Sequence, residues 1–389
     1  MDIEKIRRDT PGTRTRAHLH NAGSALMPAS VVAAMKDHID LEAEIGGYAA
    51  ADKESVRLDA VYASIAKLLN ASPVEIAITE NATVAWQMAF YSLAFKPGDR
   101  ILTAEAEYAA NYVAFLQVAK RTGVVIDVVP SDAFGAIDVA ALERMIDDRV
   151  KLIAITWVPT NGGLVNPAAA VGKIARAHNI LYLLDACQAI GQMPANVEAL
   201  GCDMLSATGR KFLRGPRGTG FLYVKRDLML RLEPPMIDHF AAPWVSRGNY
   251  KLRDDARRFE SWENNYAARL GLGVAIDYAL ELGLGEIENR CRMLATRLRQ
   301  GLSSLPGVRV WDLGRNPSAI VSFTRDGIAA EDIVKAADRA GITIGVSSPS
   351  STRLDAEARG LPMVARASPH YYNTEGEIDR LLESVSKIK

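Results

Sequence analysis

Between residues 55 and 225, short apolar runs alternate with longer amphipathic stretches, and this alternation leaves few architectures open. The strand-like runs are Glu75–Thr79, Arg100–Thr103, Val124–Val129, Leu152–Trp157, Leu181–Leu184 and Gly220–Val224. They are brief and rich in Val, Ile and Leu, as strands buried on both faces of a mainly parallel sheet are. The patterns at Asn111–Arg121, Val139–Asp147 and Ala168–Ala177 predict helices packed on both sides of that sheet.

Past residue 225 the texture changes. Pro234-Pro235, Gly248 and many charges predict irregular surface structure over 226–255. Helices are expected at Ala267–Leu282 and Glu286–Leu305, with Gly283 and Gly285 marking the break between them. Strands at Val308–Val310, Ala319–Phe323 and Thr343–Val346, with helices at Ala330–Ala340 and Thr374–Ile388, make a small α+β unit. A length of 389 residues agrees with two domains.

Charge excludes some partners. Lys plus Arg and Asp plus Glu both number 46, and basic runs go no further than pairs such as Arg7-Arg8 and Arg257-Arg258. A nucleic-acid partner is therefore not expected. The N-terminus is charged without an apolar signal segment, and no apolar run suits a membrane helix, so a cytoplasmic protein is expected. Cys187, Cys202 and Cys291 are too scattered for a disulfide framework or a zinc site, and no metal is expected.

Three short segments could carry chemistry. Asp185-Ala186-Cys187-Gln188 follows the apolar run Ile180–Leu184, where strand ends face the ligand crevice of an open sheet. A carboxylate there is costly unless it meets a cation, such as a protonated pyridine nitrogen; a helix N-cap is the alternative use. Thr208-Gly209-Arg210-Lys211-Phe212-Leu213-Arg214-Gly215-Pro216-Arg217-Gly218 is a tight glycine-rich loop around one lysine. Burial and neighbouring positive charge favour the unprotonated amine that a Schiff-base lysine needs, and the arginines offer phosphate-pairing charge; a solvated basic turn is the alternative. Thr79-Glu80-Asn81-Ala82-Thr83 lies between a strand and a helix start, and suits either an anion or simple capping.

In this order, together with Glu107-Tyr108-Ala109-Ala110-Asn111, Arg258-Phe259-Glu260 and Arg366-Ala367-Ser368-x-x-x-Tyr372-Asn373, the segments resemble the class V aminotransferases over roughly residues 17–389. That family includes cysteine desulfurases, isopenicillin-N epimerase-like proteins and related carbon–sulfur lyases. The resemblance implies a fold-type I transferase dependent on pyridoxal 5'-phosphate. Its large α/β domain (16–255, after an arm at 1–15) has a mainly parallel seven-stranded sheet, and a small α+β domain spans 256–389. It implies Lys211 as the catalytic Schiff-base lysine, Asp185 at the pyridinium nitrogen and Gln188 at the phenolic oxygen. Ala82 and Thr83 would bind phosphate with help from Thr208 and Arg210, and Tyr108 takes the place of a ring-stacking His. Thr160-Asn161 departs from the family's segment, leaving open which of the two faces the cofactor. Arg366 matches the arginine for a substrate carboxylate, and His20 and Asn21 match the N-terminal approach to the site. A homodimer with shared active sites is implied as well, for which Trp244, Trp262 and Tyr266 are candidate anchors.

Two further departures bear on activity. Arg210 replaces the usual His before the lysine. The loop Gly345–Thr352, where desulfurases place a sulfur-accepting Cys, has none, and Cys187 is expected to be a small buried residue. The resulting expectation is a Cβ–S lyase acting on a cysteine conjugate or its sulfoxide, with transamination or epimerisation of an amino acid as the alternatives and a non-catalytic binding protein behind them. Glu42–Tyr48 and Arg258–Tyr266 are similar to the epimerase-like branch and to ergothioneine-pathway sulfoxide lyases.

Overall fold

A computed structural model describes residues 1–388. The first strand, β1 (Ala17–His18), is followed by β2 (Ile76–Thr79), β3 (Arg100–Ala104), β4 (Val125–Val129), β5 (Val150–Thr156), β6 (Leu181–Asp185), β7 (Met204–Thr208) and β8 (Gly220–Val224). Among the described residues β2–β8 form one seven-stranded sheet in the order β2-β8-β7-β6-β5-β3-β4. Only β8 in this sheet runs against its neighbours, β2 and β7; the other pairings are parallel. Side chains alternate between the two faces. On β6, Tyr182 and Leu184 enter one core while Leu183 enters the other, which holds Trp86, Phe90 and Phe115 from helices 82–90 and 109–122. Burial on both faces explains why these strands lack polar alternation.

β7 is the strand absent from the sequence-based expectation. Its Met-Leu-Ser-Ala-Thr is fully buried, yet its apolar run is too short to stand out. The helix expected at 139–147 stops at Arg144, and Asp147 instead meets Arg100 and Arg149. Three helices, 29–45, 47–53 and 55–69, fill the region before β2, and helix 266–282 packs on the first and third of them.

Residues 226–255 are largely irregular, with a short helix at 226–229 and an exposed hairpin of β9 (Trp244–Ser246) and β10 (Asn249–Tyr250). Gly283, at φ +85°, ends helix 266–282, whereas Gly285 lies inside the next helix, 284–303. The remaining strands are β11 (Val308–Val310), β12 (Val321–Arg325), β13 (Ile342–Thr343), β14 (Gly345–Ser347) and β15 (Val364–Ala367). β11-β12-β15-β14 make an antiparallel sheet, while β13 pairs with β1. The single strand expected at 343–346 is thus two, divided at Ile344 because its halves serve different partners.

β2 is an edge strand, and its outward Ile78 N–H donates to Glu260 at 2.8 Å. Tyr62 O–H also donates to Glu260, and Arg258 donates to the carbonyls of Met229 and Leu232. Arg258-Phe259-Glu260 therefore fastens the sheet edge just before Thr79–Thr83. No described helix is long and apolar enough to cross a membrane.

Candidate active site

The strand ends converge. Register places Thr156 beside Asp185, and Gly220 beside both Thr79 and Thr208, so the ends of β2, β5, β6 and β7 share one rim. A side chain at Gly220 would press within 2.5 Å of the Asn81 backbone; only glycine lets the loop at 81–83 lie this close to the sheet. The Asn81 side chain accepts from Val84 N–H at 3.0 Å and starts helix 82–90, whose first N–H groups are available to an anion.

The pocket on this rim gathers Ala82, Thr83, Tyr108, Thr160, Asp185, Gln188, Thr208, Arg210 and Lys211. Asn81, Thr156, Val158 and Cys187 complete its walls. The presence of Thr156 and Val158 could have been foreseen from their position at the end of β5. Cys187, expected to be buried filler, is half-buried at the pocket wall, because the turn after Asp185 aims it inward.

Asp185 is buried, and its hydrogen-bond donors are neutral: Asn111 Nδ2 at 2.9 Å and Cys187 N–H at 2.9 Å. No helix starts after Asp185, so it is not an N-cap. Burial, with help from Arg210 and Arg366, lowers the Lys211 pKa and favours the free amine, although Cys187 and Asp185 oppose this. Of the arginines near Lys211 in sequence, only Arg210 reaches the pocket, its guanidinium bound to the Gly23 carbonyl. Arg217 is exposed, and Arg214 turns away into a cluster of tyrosines.

Gln188 donates to Ala22 O at 3.1 Å, while its Oε1 is buried without a partner. Thr160 faces the pocket. Asn161 does not: its Nδ2 donates to Ser348 O and Thr352 Oγ1 at 2.9 and 3.0 Å. Arg366 approaches from β15, donates to Thr160 O at 3.2 Å, and keeps its Nε buried and unpartnered. Its hydrogen-bond partner is therefore neutral, unlike that of a surface salt bridge, and burial pulls its pKa down to about 10. Asn21 is fully buried, donating to Ser368 O and accepting from Tyr372 O–H. His20 lies between Gly23 and Gly345, each so close that a side chain there would overlap the imidazole ring. Burial, reinforced by Arg366, His18 and Arg210, lowers its pKa to about 4, so it is neutral at pH 7. Glu42–Tyr48 and Trp262–Tyr266 meet along a separate open cleft.

These residues fit pyridoxal phosphate on the structure's own terms. Asp185 is a buried carboxylate lacking the cation that a protonated ring nitrogen would supply. Helix 82–90 offers N–H groups for a phosphate, Tyr108 a flat wall, Gln188 an unsatisfied polar atom, and Lys211 an amine.

Comparison with known proteins agrees. A family model described as aminotransferase class-V matches residues 17–381. A probable cysteine desulfurase of Methanothermobacter thermautotrophicus is 32% identical over 396 residues, covering 100% of this chain and 98% of its own. A cysteine desulfurase of Pectobacterium atrosepticum is 30% identical, with 99% and 98% covered. The apo structure of a cysteine desulfurase from Thermococcus onnurineus superposes with a TM-score of 0.92 at 27% identity, over 99% of this chain and 97% of that one.

Proposed function

Because the chain belongs to the class V aminotransferase family and is a pyridoxal-phosphate-dependent enzyme, we propose that it acts as a Cβ–S lyase on a cysteine conjugate or its sulfoxide, releasing the sulfur-bearing group without an enzyme thiol. One observation carries this reading against the name its relatives bear. The loop Gly345–Thr352 contains Ser347, Ser348, Ser350 and Ser351 but no cysteine. It is pinned from beneath by Asn161. Cys202 and Cys291 are buried. Cys187 does border the pocket, but burial raises its thiol pKa well above the ordinary value, leaving little of the nucleophilic thiolate.

The residues divide the work as follows. Arg366 takes the substrate carboxylate in its planar fork, satisfying the unpaired Nε. Lys211, its amine favoured by burial, would remove the proton from Cα. Asp185 would hold the cofactor by its ring nitrogen, keeping it protonated, and Tyr108 would pack against its ring. Bound there, pyridoxal phosphate supplies the electron sink for the charge left on Cα. The Cβ–S bond then breaks with its electron pair leaving on sulfur, and the remaining three-carbon fragment hydrolyses to pyruvate and ammonia.

Pyruvate release from cysteine S-conjugates and their sulfoxides tests this directly. Wild type and Cys187→Ala are both expected to release pyruvate, within about tenfold of each other. Sulfide release from free cysteine that disappears in Cys187→Ala would identify a desulfurase with an unusual acceptor. Conversion of the cofactor to its amine form by an amino acid, or racemisation without pyruvate, would identify a transaminase or an epimerase. Arg366→Gln should raise KM roughly 10- to 100-fold with a smaller change in kcat, since a charge-assisted bidentate contact is lost from both ground and transition states. An unchanged KM would remove Arg366 from substrate binding.

A further inference from the structure

Behind the pocket a second carboxylate lies close to Asp185. Glu107, buried between β3 and helix 109–122, draws its hydrogen bonds from neutral donors only. Its Oε1 accepts from Tyr108 N–H at 2.9 Å and Asn111 Nδ2 at 2.8 Å. Its Oε2 accepts from Thr156 N–H at 3.0 Å and Thr103 Oγ1 at 3.1 Å. Asn111 Nδ2 also donates to Asp185 Oδ2 at 2.9 Å, so a single amide nitrogen bridges the two carboxylates. The reverse amide orientation would aim its oxygen at both acids, and the carboxylates thereby fix Asn111 in place.

We propose that Asp185, Asn111 and Glu107 hold the cofactor ring as one unit, with Glu107 a positioning residue that acts on Asp185 through Asn111 and on Tyr108 through its backbone N–H. The groups that would touch the ring's nitrogen and its flat side are thereby set from one point. Donors converging on Glu107 favour its ionised form, while burial, with a further push from Asp185, raises its pKa to about 7. Asn111, held by Glu107, fixes the Asp185 carboxylate where it faces the pocket. Glu107 thus orients the partner of a protonated ring nitrogen without reaching it.

The inference rests on the cofactor reading above. Its test is a double-mutant cycle on cofactor affinity, in which full-length apo protein is titrated with pyridoxal phosphate for wild type, Glu107→Gln, Asn111→Ala and the double variant. Each single variant should weaken binding by roughly tenfold or more, the scale of a lost charge-assisted hydrogen bond, and shift the visible band of the bound form. Because both act along one path, the double variant should be within about threefold of the weaker single one. Singles within about twofold of wild type, or effects that multiply in the double, would overturn the proposal. Should Glu107→Gln not fold, Asn111→Leu decides: weakened binding with an unchanged melting temperature supports the bridge, and unchanged binding and spectrum sink it. Failure of wild type to bind the cofactor would overturn the functional reading itself, and this inference with it.

Discussion

Lys211→Ala should lower turnover by about 10⁴-fold or more and abolish the absorption band of the lysine-linked cofactor. Removing the general base alone costs roughly 10²–10⁴-fold, and loss of the covalent link to the cofactor adds to that. The lysine's location makes the result easy to interpret. Its neighbours Arg210 and Phe212 are held by backbone contacts independent of the amine: Ala25 N–H donates to Arg210 O at 2.9 Å, and Gly215 N–H donates to Gly209 O at 2.8 Å. His370 Nε2 is 2.6 Å from Phe212 O. The pocket therefore remains without the side chain, and a soluble variant that still binds pyridoxal phosphate weakly, showing only the spectrum of the unlinked cofactor and no pyruvate, is the expected result. A variant turning over within about tenfold of wild type would remove Lys211 from the chemistry.

The largest loss of stability is expected at Arg214. This side chain is 1% exposed and lies within 5.0 Å of the Tyr371 ring centre and 4.6 Å of that of Tyr372. Nε donates to Leu26 O at 2.8 Å, Nη1 to Tyr371 Oη at 2.8 Å and Nη2 to Thr10 Oγ1 at 2.6 Å. Arg214→Ala would leave a cavity among aromatic rings and strip donors from buried acceptors. Together these should cost about 3–5 kcal/mol, measured as a lower midpoint of urea unfolding. Exposed Arg217→Ala, three residues further on, should stay within about 0.5 kcal/mol of wild type. A loss below about 1 kcal/mol at Arg214 would show that its contacts contribute no net stability.

These two positions mark where sequence reasoning succeeds and where it stops. Asp185 and Lys211 stand out through local features, the end of an apolar run and a lysine in a glycine-rich loop, which leave capping and a basic turn open; their roles come from the resemblance, and the structure brings both to one pocket. Arg214 was grouped with Arg210 and Arg217 as pocket charge, but its direction depends on the left-handed backbone at that residue and on tyrosines at 371 and 372. Thr160 and Asn161 could not be separated for a similar reason, since the contact that turns Asn161 away comes from Ser348, 187 positions later. The sequence around Glu107 and Asn111 does not reveal their role, because their partners Thr156 and Asp185 lie on β5 and β6. The helices between 29 and 69 lacked an expectation altogether. Their apolar faces are covered in part by helix 266–282, which a scan of neighbouring residues does not see.

The pairing of β1 with β13 has a consequence for biosynthesis. Residues 17–26 lie between the lysine loop and the C-terminal strands, and Ala22 N–H bonds to Ser368 Oγ, 346 positions away in sequence. At roughly 5–20 residues per second, a ribosome needs about 17–70 s to make that partner. Residues 17–26, made long before that partner, are therefore among the last to find their places, and the half-built chain must keep apolar Leu19, Ala22 and Leu26 from other partners meanwhile. Slow, late closure of this kind is where contacts distant in sequence limit folding speed. Two side chains of the pocket wall wait on these segments: Gln188 bonds to Ala22 O, and Thr160 O accepts from Arg366.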